Sequence, residues 1–243
     1  MIKIVASVDD DGFDPNSRVC VGKHTIPMDE SVNKPQMRQF KPLTFTNLDI
    51  QPKNIVLTND GRTLNLYPNY TKSQVPIISG GPLEDIGSYR FSRMYFYWME
   101  RSDSKYNYGN ITFPAELHLV FLNVNLTETW QSLRRDNCVV VLAYPIKVVE
   151  TSSNFFSEIV NHLPVIRDTD TFTNQLQDME FALNSIIGKD TSNFYIYHGN
   201  MLSIACVRDI TYIDFPTAVE VNLKFVSMND ILNNTKNRMQ LTE

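Results

Sequence analysis

Polar and apolar positions along this chain alternate mostly with a period of two, the signature of strands with one face turned inward. The segment "NIVLTNDGRTLNLYP" (Asn54 to Pro68) predicts two strands joined by a turn at Asn59, Asp60 and Gly61, because Asp-Gly favours tight hairpin turns. "YRFSRMYFYWM" (Tyr89 to Met99) predicts an aromatic-rich strand. In "AELHLVFLN" (Ala115 to Asn123), Leu117, Leu119 and Phe121 alternate with Glu116, His118 and Val120, so the second set shares one face. "CVVVLAYPIKVV" (Cys138 to Val149) is an almost unbroken apolar run, expected of a central strand. "FYIYHG" and "DITYIDFP" supply two more strands.

Helical periodicity is rare. "SNFFSEIVNHL" puts Phe155, Phe156, Ile159, Val160 and Leu163 on one face, with Ser153 as a cap. "QLQDMEFALNSI" predicts a second, weaker helix. The pattern predicts a mainly β protein: one large, twisted, mostly antiparallel central sheet with short peripheral helices. No Gly/Ser/Pro-rich linker or internal repeat divides the chain. Residues 1–17 are expected to form an N-terminal extension and residues 18–243 a single domain.

Composition narrows the function classes. The chain has 243 residues, 42% apolar and 20% charged, enough to bury a sizeable core. No apolar run approaches the ~20 residues of a membrane-spanning helix. The net charge is -5, and no basic stripe suited to nucleic acid appears. The opening "MIKIVASVDDDGF" lacks the apolar core and small-residue cleavage site of a signal peptide. Cys20, Cys138 and Cys206 have no metal-finger spacing, and their odd number allows one bridge and one thiol. Four Asn-x-Thr triplets begin at Asn69, Asn110, Asn125 and Asn233; a chain this rich in Asn and Thr gives about three by chance, so they argue only weakly for secretion.

The candidate chemistry lies on the aromatic strand. Two residues at i and i+2 of a strand face the same way. Two histidines so placed, with a third from a neighbouring strand, could hold a tetrahedral zinc with one position open to water. Here the i, i+2 pair is Tyr95 and Tyr97, and the histidine of "AELHLV" is His118.

The ordered set "GGPL", "YRFSRMYFYWM", "FPAELHLVFLN", "CVVVLAYPIKV" and "FYIYHGNMLSIACV" resembles the alpha-class carbonic anhydrases, as do "FKPL", "LTNDGRTLNL" and "KNRMQ", over roughly residues 18–240. The resemblance implies that family's twisted sheet. It also implies losses. Active members carry His-x-His just before the Trp of the aromatic strand; Tyr95 and Tyr97 stand there, leaving His118 as the matching third ligand. The zinc-side threonine aligns with Leu202, its glutamate partner with Lys105, and the proton-shuttle histidine with Arg62, whose guanidinium keeps its proton. The Thr-Thr-Pro-Pro turn reads "LSIA", and "TIPMDE" replaces the early Gln-Ser-Pro-Ile type motif. Tyr95 and Tyr97 are expected to fill the metal and substrate cone, and His118 to be a hydrogen-bonded core histidine.

Extracellular members of the family bridge two cysteines that match Cys20 and Cys206. That correspondence implies a disulfide and an oxidising compartment, with Cys138 left as a buried thiol. The expectation is therefore a secreted protein whose signal peptide precedes this sequence, with a cytoplasmic one as the alternative. Its function is expected to be that of a carbonic anhydrase-related protein without zinc or CO2 hydration, which binds a protein or glycan partner. An active zinc enzyme whose ligands escape this reading, or a structural extracellular protein, are the alternatives. Arg62, Arg90, Arg93, Arg101 and Lys105 are candidates for a basic patch at the mouth of the cone.

Overall fold

The computed structural model describes residues 2–4, 36–59, 63–98, 107–108, 111–126, 137–150, 154–162, 172–176, 180–188, 190–199 and 210–226. In chain order, the strands among them are β1 (Ile2–Ile4), β2 (Gln36–Arg38), β3 (Leu43–Thr46), β4 (Asn54–Asn59), β5 (Leu64–Asn69), β6 (Ile77–Gly80) and β7 (Tyr89–Trp98). They continue with β8 (Asn107–Tyr108), β9 (Ile111–Thr112), β10 (Ala115–Asn123), β11 (Val139–Val149), β12 (Phe172–Leu176), β13 (Tyr195–Gly199), β14 (Ile210–Asp214) and β15 (Val219–Asn222). Helix α1 (Asn154–His162) and the single turn α2 (Leu223–Val226) accompany them.

Thirteen of these strands join one mixed sheet whose main path runs β12-β4-β5-β7-β10-β11-β14-β13-β1-β2. Most pairs are antiparallel. The parallel ones are β11 with β14 and with β15, and β1 with β13. Ile2–Ile4 thus pairs with the sheet, although it falls in the segment read from sequence as an extension. The predicted hairpin closes in register, Asn59 opposite Leu64 and Asn54 opposite Asn69. Its turn residues Asp60 and Gly61 lie outside the described residues.

β11 explains its own sequence. It is hydrogen-bonded on both edges, by β10 on one side and β14 and β15 on the other, and its two faces enter two different cores, so no polar alternation is needed. Val140, Leu142, Tyr144 and Ile146 enter the larger core. That core includes Phe91, Phe96, Phe121, Phe155, Phe156 and Phe181. The rings of Phe155 and Phe181 stack with centroids 4.2 Å apart, and Phe156 meets Phe96 of β7 edge-on at 6.3 Å, pinning α1 to the sheet. Each such ring removed from water contributes about 1.5–3 kcal/mol. Val139 and Val141 point to the opposite face, into a smaller core with Tyr95, Val120, Cys138, Tyr195, Tyr197, Ile210 and Tyr212.

The expected helix over "SNFFSEIVNHL" is present as α1, with Phe155, Phe156 and Ile159 buried and Val160 half-buried. The second expected helix is not. Gln175 and Leu176 end strand β12, where Leu176 pairs with Ile55, and among the described residues that follow in this segment a short 3-10 turn at Leu183–Ser185 is the one helical piece. Backbone pairing to β4 satisfies more donors and acceptors than a weakly periodic helix would, and Ala182 is extended at φ -138°.

Candidate functional site

The smaller core is where polar chemistry gathers. Strand pairing sets Tyr95, His118, Ala143, Asp214 and Tyr195 side by side across β7, β10, β11, β14 and β13. Tyr97 lies opposite Glu116, and Tyr212 lies between Val141 and Tyr197. Period two then puts Tyr95 and Tyr97, Glu116 and His118, and Tyr212 and Asp214 on this one face.

His118 is held at both ring nitrogens. Its Nδ1 lies 2.7 Å from the Tyr95 hydroxyl and its Nε2 lies 2.8 Å from Glu116 Oε2. The three side chains are 2%, 8% and 1% exposed for His118, Tyr95 and Glu116, so the chain of hydrogen bonds is shut off from water. Burial lowers the affinity of the His118 ring for a second proton, to a pKa of about 3. A neutral ring next to a carboxylate has one consistent arrangement: Nε2–H donates to Glu116, and the Tyr95 O–H donates to Nδ1. Burial pushes the Tyr95 hydroxyl well above the usual phenol range, with Arg93 opposing weakly.

Aromatic rings enclose this chain. Tyr95 meets the His118 ring edge-on at 4.9 Å, Tyr97 lies nearly parallel to it at 6.2 Å, and Tyr212 meets it edge-on at 6.2 Å. Tyr197 stacks on Tyr212 at 4.9 Å. Asp214, fully buried, sits beyond Ala143, and among the described residues no partner meets either carboxyl oxygen in full hydrogen-bond geometry. Burial first, and then the charge of Glu116, raise its pKa well above the usual carboxyl value; the Tyr197 hydroxyl only partly offsets them. Burial thus favours the protonated form of Asp214.

Sequence reasoning picked out Tyr95, Tyr97 and His118, and the fold brings them together. It overlooked Glu116 as the second partner of His118, and it overlooked Asp214. The available signal was a carboxylate on the buried face of an otherwise apolar strand, in "AELHLV" and again in "ITYID". Leu202, Lys105, Arg62, Cys20 and Cys206 lie outside the described residues, as do Arg101, Asn110 and the triplet at Asn233. Cys138 is a buried thiol. The two described members of the expected basic patch are engaged with the protein itself. Arg90 donates to the carbonyls of Val124 at 3.1 Å and Leu126 at 3.4 Å. Arg93 donates to the Tyr67 hydroxyl at 3.0 Å and lies over the rings of Tyr67 and Tyr95. Among the described residues, no three His, Cys, Asp or Glu side chains are grouped to hold a metal ion, and no helix is long and apolar enough to cross a membrane.

Comparison with known proteins gives this arrangement its family. Residues 12–243 match the profile of the eukaryotic-type carbonic anhydrases. The chain is 29% identical over 172 residues to putative carbonic anhydrase 5 of Caenorhabditis elegans, a match covering 69% of this chain and 53% of that protein. It is 24% identical over 197 residues to carbonic anhydrase 6 of Canis lupus familiaris, covering 79% of this chain and 58% of that protein. Putative carbonic anhydrase 3 of Caenorhabditis elegans matches at 24% over 216 residues, 88% of this chain and 80% of that protein. The chain thus spans little more than half the length of the first two relatives. With the profile covering almost every residue and the mixed sheet in place, the chain belongs to the eukaryotic-type carbonic anhydrase family.

Proposed function

We propose that this chain is a carbonic anhydrase-related protein that holds no zinc, does not hydrate carbon dioxide, and acts by binding a protein or glycan partner. One observation carries the reading: the Tyr95 hydroxyl sits 2.7 Å from His118 Nδ1, so the nitrogen that would face a metal already accepts a hydrogen bond. The donor set does not fit zinc. Catalytic zinc sites take three protein ligands, usually imidazole or carboxylate. Here one imidazole is offered with two phenols, and a phenol must lose its proton to coordinate well. Burial works against that loss at Tyr95.

Glu116 and Tyr95 act instead as a clamp that fixes the His118 ring, and Tyr97 closes over it. With the interior filled by rings, the outer surface is the place for a partner. The chain is proposed to work outside the cytoplasm, where Cys20 and Cys206 would be bridged. The losses read from sequence at Leu202, Lys105 and Arg62 support the same conclusion.

The test is stopped-flow CO2 hydration with zinc added in excess. The proposal expects the rate of buffer alone. A zinc-dependent rate that disappears in His118→Ala would overturn it.

A further inference from the structure

The clamp around His118 is also a path for protons. Tyr95, His118 and Glu116 are linked in a row, phenol to Nδ1 at 2.7 Å and Nε2 to carboxylate at 2.8 Å. Hydrogen bonds in such a chain polarise one another, so a change of charge at one end is felt at the other.

A buried phenol loses an electron more readily than it loses a proton. The electron crosses between neighbouring groups without contact, whereas the proton needs an acceptor at hydrogen-bond distance. Tyr95 is 8% exposed, so His118, and not solvent, is that acceptor. Without it, oxidation would leave a cationic phenol in a medium that penalises charge. With it, the positive charge ends on Glu116. The three groups then carry the Glu116 charge before the transfer and none after it, so the burial that holds the cluster together also favours loss of an electron.

Two other tyrosines show the contrast. Tyr89 donates to the Asn137 carbonyl at 2.9 Å, and Tyr67 accepts from Arg93 at 3.0 Å. Neither a backbone carbonyl nor a guanidinium takes up a proton near neutral pH.

The electron has a way out. Arg93 Cζ lies 5.6 Å from the centre of the Tyr95 ring and 5.9 Å from that of Tyr67, and Tyr67 is 36% exposed. An oxidant in solvent therefore reaches the Tyr67 side of the cluster without entering the core. The Arg93 charge opposes a positive hole on Tyr95, but the hole is neutral once its proton has left.

We propose that Tyr95 is a one-electron donor site, oxidised by a solvent-borne aryloxyl-class radical while its phenolic proton passes to His118 Nδ1 and the Nε2 proton passes to Glu116. The products are a neutral tyrosyl radical, the other tautomer of the imidazole, protonated Glu116 and the reduced oxidant as its aryloxide anion. So placed, Tyr95 draws oxidising equivalents away from the surface. The proposal shares with the proposed function only the Tyr95–His118 bond and needs no partner.

The test uses the full chain, with zinc content measured on the same sample. Flash photolysis of tris(bipyridine)ruthenium(II) with a cobalt(III) acceptor supplies the one-electron oxidant, and freeze-quench EPR reads the radical. Wild type should give a tyrosyl spectrum, formed more slowly in heavy water because the proton moves with the electron. Tyr95→Phe should lose it. Glu116→Gln still accepts a hydrogen bond from Nε2 but takes up no proton, so it should slow radical formation by about tenfold or more with near-UV circular dichroism unchanged. A purely structural clamp would not move that rate. An undiminished signal in folded Tyr95→Phe overturns the proposal. If that variant does not fold, a wild-type rate in folded Glu116→Gln, or equal wild-type rates in heavy and ordinary water, overturns it. Close to one zinc per chain would occupy Nδ1 and overturns the proposed function as well, whereas a zinc-free chain that fails the radical tests overturns this proposal alone.

Discussion

Replacing Tyr95 by Phe removes one hydroxyl and almost nothing else. The ring keeps its place in the smaller core, edge-on to His118. What disappears is the 2.7 Å hydrogen bond to Nδ1, in a position where water cannot substitute because Tyr95 is 8% and His118 2% exposed. A buried acceptor deprived of its donor costs about 1–3 kcal/mol. In a chain of this size that loss lowers the melting temperature by roughly 2–10 °C. The assay is reversible urea or thermal unfolding of the wild type and Tyr95→Phe. Glu116→Gln weakens the other anchor of the same ring, 2.8 Å from Nε2. If Tyr95, His118 and Glu116 form one chain, the two substitutions couple by about 0.5–3 kcal/mol in a double-mutant cycle. A Tyr95→Phe loss below about 0.5 kcal/mol, with additive double-mutant energies, would refute the clamp.

Other consequences follow from the same face and its surroundings. Asp214 has a raised pKa when folded, so it binds a proton that the unfolded chain releases near pH 3.8, and stability falls as pH rises from there toward the folded value. Asp214→Asn should therefore flatten that slope and leave the chain at least as stable as wild type at pH 7; unfolding free energies at several pH values check it, and an unchanged slope would contradict it. Tyr95→His combined with Tyr97→His puts imidazoles on the face that already carries His118 and its Glu116 partner; cobalt titration should show tetrahedral d–d bands in the double variant and none in wild type. Gly81 has φ +55°, and an added Cβ would fall 2.9 Å from Leu43 Cδ2, so Gly81→Ala should cost about 1–2 kcal/mol in chemical denaturation.

Local patterns were legible where one strand or hairpin decides the structure. The pairing of β4 with β5, the alternation in β10 and the unbroken run of β11 follow from the period of two and the apolar run, and each forms as read, while the turn residues Asp60 and Gly61 lie outside the described residues. The weak helix over "QLQDMEFALNSI" failed because its fate depends on β4, a strand more than a hundred residues earlier. The site shows the same division. Tyr95, Tyr97 and His118 could be picked out from their strands and from the family resemblance. That Asp214 lies in line with His118 across Ala143 depends on β11 pairing with β10 and β14 in one register, which no local pattern encodes. Glu116 was visible as a carboxylate on a buried face, but its partner became clear only with the distances.

The central claim is that the face built around His118 holds no metal. Elemental analysis of protein purified without chelator measures this directly. The account predicts less than about 0.1 zinc per chain after dialysis, since a lone imidazole held at both nitrogens cannot supply a zinc site. Close to one zinc per chain, retained through dialysis, would contradict it.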